Sequence, residues 1–495
     1  MLFSLHGRRT VRRACVVFGL VFSLFFSARP GLSGQTPAAD RADDAPAVAG
    51  NRESWMNVFQ GDRKIGFAHT VFRTVEEGYH LAETASLRIN TLGMEQDFEV
   101  RTDAGLRRDF RLRSIRFEMI SGRFRVAVEG TVAGDTLLLE LSIGGQARAA
   151  ESPLSDDPFI LSGIMDAIRS EGMAPGDTRN YAVFNPASMS MDSVELEHLG
   201  RETIEVSGET YDAVKVAVRL SGMEQFAWID ENGDVLRESG ILGIRMDRTS
   251  RADALFGLPV ESSDDLTRVA AVPSDRTFDR PEAIRRLVVR ITGVELDPAE
   301  VGGGRQFLSG DVLTIRKESL AGPPADGDGD DDLAAFLAPS PFIQSDHPKI
   351  RERAAAVVGD SDGYLEKARK ITGWIYDAIE KRPVLSMPDA ISTLENRMGD
   401  CNEHAMLLAA LARAAGVPAR VASGLVYQDG RFYYHAWNLL HVGEWVTADA
   451  AFGQFPADAT HIRFALGEVG EQMDMMGMIG KIGVEVVEVV LVGGD

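Results

Sequence analysis

The chain has 495 residues, 44% hydrophobic and 25% charged, with 52 Lys and Arg against 74 Asp and Glu for a formal charge of -22. That is the composition of a globular chain, not a disordered one, and at roughly 150 residues per domain it allows about three units. So acidic a balance argues against a nucleic-acid partner, and two cysteines, Cys15 and Cys401, cannot build a disulfide framework or a four-thiolate zinc centre.

Residues 1–28 predict an export signal. Arg8, Arg9, Arg12 and Arg13 form a basic start. The apolar run from Ala14 to Ala28 spans about 15 residues, short of the roughly 20 that cross a bilayer. Cleavage is expected near Ala28, with Leu32–Gly34 as second choice, and an uncleaved segment would instead tether the protein to a membrane. The expected location is the periplasm or cell envelope. Removal of the signal takes Cys15 with it and leaves Cys401 as a single thiol in an oxidising compartment, which calls for a reason. Residues 29–50, rich in Pro, Gly, Ala and Asp, read as a flexible linker.

From Trp55 the pattern has period two. Ile65–Phe72, Tyr79–Leu87 and Phe110–Phe117 alternate or nearly so, with turn signals at Gln60–Asp62, Glu77–Gly78, Asp103–Gly105 and Ser121–Gly122. This predicts an antiparallel meander with one wet face. A helical break is expected near Phe159–Glu171, then further strands, with Asp230–Gly233 as a hairpin turn. Residues 51–260 are therefore one or two β-rich units that bury their own core, and 261–320 a shorter β-rich region around Leu287–Ile315. Residues 321–333 are an acidic linker. Asp326, Asp328 and Asp330 have the spacing of a calcium loop, but Asp331 replaces the required Gly and Leu337 the closing Glu, which favours a linker.

Residues 334–495 turn helical. Ile350–Val358 and Tyr364–Lys381 have apolar residues at helical spacing, and Asp389–Leu394 reads as a short capped helix. Next comes Gly399-Asp-Cys-Asn-Glu-His-Ala405, opening an Ala- and Leu-rich helix that Gly416 and Pro418 stop. Cys401 falls at the first turn, where unpaired N–H groups and the positive end of the helix dipole lower a thiol pKa and can hold an oxyanion. Downstream, Arg420–Tyr427 and Phe432–Val442 form a hairpin that puts Tyr433, His435 and Trp437 on one face. Trp445–Asp449 is the next strand, so Asp449 can lie beside His435 and hold its tautomer.

Three blocks, Gly399–Ala405, Tyr434–Trp437 and Trp445–Asp449, resemble the bacterial transglutaminase-like domain over roughly residues 340–465. Pro456–Ile462 is similar to the segment after the aspartate in exported bacterial members. The resemblance implies a papain-like core with Cys401 as nucleophile, His435 as base and Asp449 as orienter, and it implies no calcium activation of the animal type. Other residues have plainer readings. Asp400 and Glu403 are first-turn acids complementing the dipole, and His404 packs or caps, or tunes the thiol. Trp374 belongs to a helix core, Trp437 walls a tunnel or fills the core, and His461 orients a loop or merely packs. Met473, Met475, Met476 and Met478 read as helix packing over copper binding.

The expected fold class is α+β: a β-rich antiparallel N-terminal region followed by a C-terminal papain-like, transglutaminase-like α+β domain. The expected function is an exported thiol acyl-transfer enzyme acting on protein or peptide amides, with no cofactor and no metal. Ammonia or an amine leaves, and the thioester passes to an amine or to water. The rival reading is a non-catalytic cell-envelope binding or assembly protein that works through its β-rich half. Nothing in the sequence indicates the oligomeric state.

Overall fold

The first half is shaped by alternation. Along the strand Gly78–Thr91, Tyr79, Leu81, Glu83, Ala85, Leu87 and Ile89 are buried while the residues between them are partly exposed. The computed structural model describes residues 51–492 apart from 123, 144–145, 155, 321–332, 362, 386 and 469–474. The expected signal with Cys15, the linker 29–50, the Asp326–Asp330 loop and Met473 lie outside the described residues.

Strands of this kind form one antiparallel sheet of 14 among the described residues. A meander from Arg52–Gln60 to Gln146–Pro153 makes one side of it. A second meander, from Thr178–Asn185 to Ile244–Thr249, makes the other. The two join where Arg52–Gln60 pairs with Ile244–Thr249, Trp55 opposite Thr249, so residues 52–249 share a single sheet. The turn at Asp230–Gly233 closes as its sequence predicts, with Asp230 Oδ1 accepting from the N–H groups of Asn232 and Asp234.

The helix Leu161–Glu171 packs into this sheet and brings polar groups with it. Asp166 is fully buried and forms an ion pair with the buried Arg52. Ser162 donates to Glu83, the one carboxylate in the buried series of its strand. Burial pushes the Glu83 carboxyl up to about 7 against the pull of the Ser162 and Thr70 hydroxyls. These groups fix where the helix docks, since each would be costly without its partner.

The segment expected as a short β-rich region shares a sheet with the chain's last strand. Ile284–Thr292 pairs with Val312–Arg316 on one side and with Gly483–Leu491 on the other, and Gln306–Ser309 completes a four-stranded sheet. Val272–Pro273 pairs with Arg431–Phe432, at the edge of a second sheet. That sheet holds Arg431–His441, Ala419–Gln428 and Ile462–Leu466, and Trp445–Ala448 adds to Arg431–His441.

Against this second sheet lies the helix Cys401–Ala414, with Leu407, Leu408 and Leu411 completely buried. Around it pack the helices Pro348–Val358, Tyr364–Ala378 and Ala390–Asn396. The helix expected to run to Lys381 stops at Ala378. Ile379 takes an extended conformation (φ −106°, ψ 123°), and Glu380–Lys381 then pairs in parallel with Met398–Gly399, beside Cys401. Met475 and Met476 are buried within a short 3-10 turn.

The Arg52–Asp166 pair gives a stability prediction. Asp166→Ala removes the carboxylate facing a buried guanidinium and is expected to cost about 3–5 kcal/mol. Adding Arg52→Met is expected to return most of that loss. Urea unfolding followed by circular dichroism checks this, and a double variant no more stable than Asp166→Ala refutes it.

Candidate active site

Cys401 is the first residue of its 14-residue helix, and Asp400 is the N-cap. Asp400 Oδ1 accepts from Asn402 N–H at 2.9 Å, and Glu403 Oε2 accepts from Asp400 N–H at 2.9 Å, a capping box. Gly399 makes the box possible: a Cβ there would lie 2.3 Å from Glu403 Cβ. Burial pushes the Glu403 carboxyl up to about 7. Burial, then Glu403, then Cys401 push the Asp400 carboxyl well above the usual carboxylate range.

His404 sits one turn on, and its Nδ1 donates to the Asp400 carbonyl at 2.6 Å. Burial pushes its pKa down to about 4, so the ring is neutral. The ring is packed inside the helix start, the packing alternative of the sequence reading, while the cap itself is Asp400.

Opposite the helix start, His435 pairs in register with Gly424. The glycine is needed there: a Cβ at Gly424 would lie 1.9 Å from the Ile462 carbonyl oxygen. Without a side chain, the strand beginning at Ile462 comes close enough to bring His461 beside His435, their ring centroids 5.7 Å apart.

His435 Nε2 lies 2.7 Å from Asp449 Oδ2, and His461 Nε2 lies 2.9 Å from the same oxygen. Asp449 follows the strand Trp445–Ala448, held by paired backbone hydrogen bonds with Gln454. Its Oδ1 accepts from the N–H groups of Ala451 at 2.8 Å and Phe452 at 2.9 Å. Burial alone would raise this carboxyl, but His435 and His461 outweigh it and hold it well below the usual range.

The same balance acts on His435. Burial opposes its charge, yet Asp449 and then Cys401 push its pKa up to about 10. Because the carboxylate only accepts, Nε2 carries a proton toward Asp449 and Nδ1 is the nitrogen left for the thiol. Phe452 is tilted against the ring at 4.8 Å, and Cys401 itself is 3% exposed.

His461 extends the chain of partners to Asp458, 3.3 Å from its Nδ1. Thr460 N–H and hydroxyl donate to Asp458 Oδ1, and Gln454 donates to Oδ2. These acceptors raise the His461 pKa against burial. His461 thus touches the same carboxylate oxygen as His435, a closer role than orienting a loop. Its signal in the sequence was the Asp458, Thr460, His461 cluster just after Asp449.

His435, Asp449 and His461 are also the one set of three metal-ligating side chains with donor atoms within 4.8 Å among the described residues. Tetrahedral zinc ligands stand about 3.4 Å apart. At 2.7 and 2.9 Å these contacts have hydrogen-bond lengths instead.

Arg305, from the 261–320 segment, clamps the loop from behind. Its Nη1 donates to Thr447 Oγ1 at 3.0 Å and the Ala457 carbonyl at 2.8 Å, and its Nη2 to the Asp458 and His461 carbonyls, each at 2.9 Å. Sequence reasoning missed it, because nothing local marks a residue whose partners lie 142 to 156 positions away. Trp374 stands apart, half-buried, with the Arg353 and Arg397 guanidinium groups over its ring. Trp437 is buried beside both His435 and His461, at ring-centroid distances of 6.1 and 5.2 Å.

The His435 shift has a defined sign. A raised folded pKa adds stability that is fully present below about pH 6.5 and lost as pH rises through about 10. The imidazole NMR resonance of His435 is therefore expected to titrate near pH 10, and at lower pH in Asp449→Asn. A midpoint near or below 6.5 in the unaltered protein would contradict the arrangement.

Residues 351–450 match the family model of the transglutaminase-like superfamily. Among solved structures, one similar chain is a candidate cysteine protease from Cytophaga hutchinsonii, 19% identical, covering 42% of this chain and 89% of that one with a TM-score of 0.27. Another is a β-barrel-like protein of a domain of unknown function from Brucella abortus, 9% identical, covering 40% of this chain and 95% of that one with a TM-score of 0.32. A candidate protease from Parabacteroides distasonis is 11% identical, covering 70% of this chain and 68% of that one with a TM-score of 0.20. No curated protein matches the chain. In its C-terminal part, the chain carries a transglutaminase-like domain.

Proposed function

We propose that the protein is an exported thiol acyl-transfer enzyme acting on protein or peptide amides, with Cys401 as nucleophile, His435 as acid and base, and Asp449 as its positioning residue. The observation that carries this reading is the buried His435–Asp449 contact of 2.7 Å, with the helix-start cysteine close enough to raise the pKa of the same ring. A transglutaminase-like domain supports it at the level of the superfamily.

In this mechanism the Cys401 thiolate attacks the amide carbonyl of a glutamine side chain or a peptide bond. The C–S bond forms and the carbonyl oxygen takes up the negative charge at the positive end of the helix that begins with Cys401. As the C–N bond breaks, the His435 imidazolium gives its proton to the departing ammonia or amine, leaving a thioester. An amine or a water then attacks the thioester, His435 takes its proton, and the thiolate is released. A His435 pKa of about 10 favours the thiolate–imidazolium pair as the resting form at neutral pH. The proposed location in the periplasm or cell envelope rests on the basic and apolar segment at residues 1–28.

Alkylation tests the nucleophile. Cys401 in the folded protein is expected to react with iodoacetamide below pH 7, and more slowly in His435→Ala. A thiol reactive only after unfolding would sink the proposal. Acyl transfer by His435→Ala should fall about 10²–10⁴-fold, read with a glutamine peptide and a labelled primary amine. Label incorporated into the peptide marks an amine acceptor, and released free acid marks water.

A further inference from the structure

His461 lies between two carboxylates. Its Nε2 is 2.9 Å from Asp449 Oδ2, and its Nδ1 is 3.3 Å from Asp458 Oδ1. All three side chains are buried, with His461 0%, Asp449 1% and Asp458 3% exposed. Cys401, His435 and Asp449 account for the proposed mechanism, and His461 has no role in it.

An ionised carboxylate accepts hydrogen bonds and donates none. His435 meets one carboxylate, so it can hold a proton toward Asp449 and leave its other nitrogen for the thiol. His461 has no such choice. To answer both carboxylates, each of its nitrogens must carry a proton, and a ring with both protons is an imidazolium. A neutral ring would set a bare nitrogen against a buried carboxylate.

Both acids are built to stay ionised. Asp449 accepts from four donors. Asp458 accepts from the Thr460 N–H and hydroxyl at 2.8 and 2.6 Å and from Gln454 at 2.9 Å. Burial alone would raise the Asp458 carboxyl, but His461 holds it well below the usual range. Burial opposes charge on His461, yet Asp458 and then Asp449 raise its pKa.

The remaining charged groups around this cluster have partners of their own. Arg305, which reaches the His461 carbonyl, pairs with Glu318. Lys381, which attracts Asp449, donates to the Tyr376 carbonyl. His435, on the strand Arg431–His441, has its ring centroid 5.7 Å from that of His461. Asp449 Oδ2 has two lone pairs, and the two imidazole N–H groups use both. His461 therefore competes with His435 for a single oxygen.

We propose that His461 is held as an imidazolium and acts as a positioning residue, sharing Asp449 Oδ2 so that this carboxylate does not retain the His435 proton too tightly. The proposal deepens the acyl-transfer reading and, for its effect on the reaction, rests on it. There His435 gives its proton to the departing ammonia or amine and takes one from the acceptor, and a carboxylate serving His435 alone would hold that proton more firmly.

NMR of the full chain with isotope-labelled histidine, in buffer with a metal chelator, tests it. At about pH 8, where an unperturbed histidine is neutral, both ring nitrogens of His461 are expected to carry protons. His461→Gln keeps an N–H donor and removes the charge. In that variant the His435 midpoint is expected to rise by about one pH unit from its value of about 10. A role in packing alone would leave the midpoint where it is. Thermal melts show whether His461→Gln is folded. If it is not, Asp458→Asn takes its place, and there His461 is expected to lose a ring proton at lower pH than in the unaltered protein. The proposal is overturned if either nitrogen of His461 lacks its proton at about pH 8. It is equally overturned if the His435 midpoint fails to rise in folded His461→Gln, or if His461 titrates unchanged in Asp458→Asn. None of these readouts uses turnover or the thiol, so an inert Cys401 would sink the acyl-transfer reading and leave the charge of His461 standing, while a neutral His461 would leave Cys401 untouched.

Discussion

A single carboxylate sets the terms for the C-terminal part of the molecule. Asp449 is a buried anion, and an isolated buried charge is among the most expensive things a fold can contain. It persists because four donors converge on it: two backbone N–H groups on one oxygen and two imidazoles on the other. Each donor then demands its own support. The tight turn to Gln454 aims the N–H groups, Gly424 lets the Ile462 strand approach, and Asp458 with Thr460 steadies the second imidazole. Asp449 raises the His435 pKa against burial, while His461 and Asp458 shift each other, His461 up and Asp458 down.

The support reaches beyond the segment that matches the family. His461 and Asp458 lie past residue 450, and Arg305 and Gln306 lie well before residue 351. Arg305 holds four groups of the 447–461 stretch, and Gln306 accepts from Arg463 N–H at 2.7 Å while donating to its carbonyl at 3.0 Å. The transglutaminase-like domain of this chain is thus built together with the strands that precede it. The polar groups of Arg305 take the place that further apolar packing would otherwise fill, and they specify the loop path more narrowly than apolar contacts do.

Much of this was legible in the sequence wherever the signal is local. Period-two alternation marked the strands of the first half, and Gly399 to Gly416 marked a helix with Cys401 at its start. His435 and Asp449 were legible because a hairpin followed by a third strand brings such positions together. What stayed hidden depends on distant pairing. No periodicity reveals that Arg52–Gln60 joins Ile244–Thr249 and so fuses two meanders into one sheet. The end of the helix at Ala378 was masked by apolar spacing that continues to Ile379, while the parallel contact with Met398–Gly399 pulled the chain out of the helix. Arg305 reads locally as one more arginine after three glycines, and its role exists only in three dimensions.

The pairing of Ile284–Thr292 with Gly483–Leu491 has a consequence in time. Arg290 and Glu485, which face each other across that pair, are 195 positions apart, so the earlier strand must wait for nearly all the intervening chain before its outer edge is covered. The sheet that carries Arg305 is thus among the last parts of the molecule to be completed, and the clamp on the Asp449 loop closes with it. During synthesis the thiol of Cys401 therefore exists for a period without its fully organised partners, so the order in which the chain emerges delays its maturation.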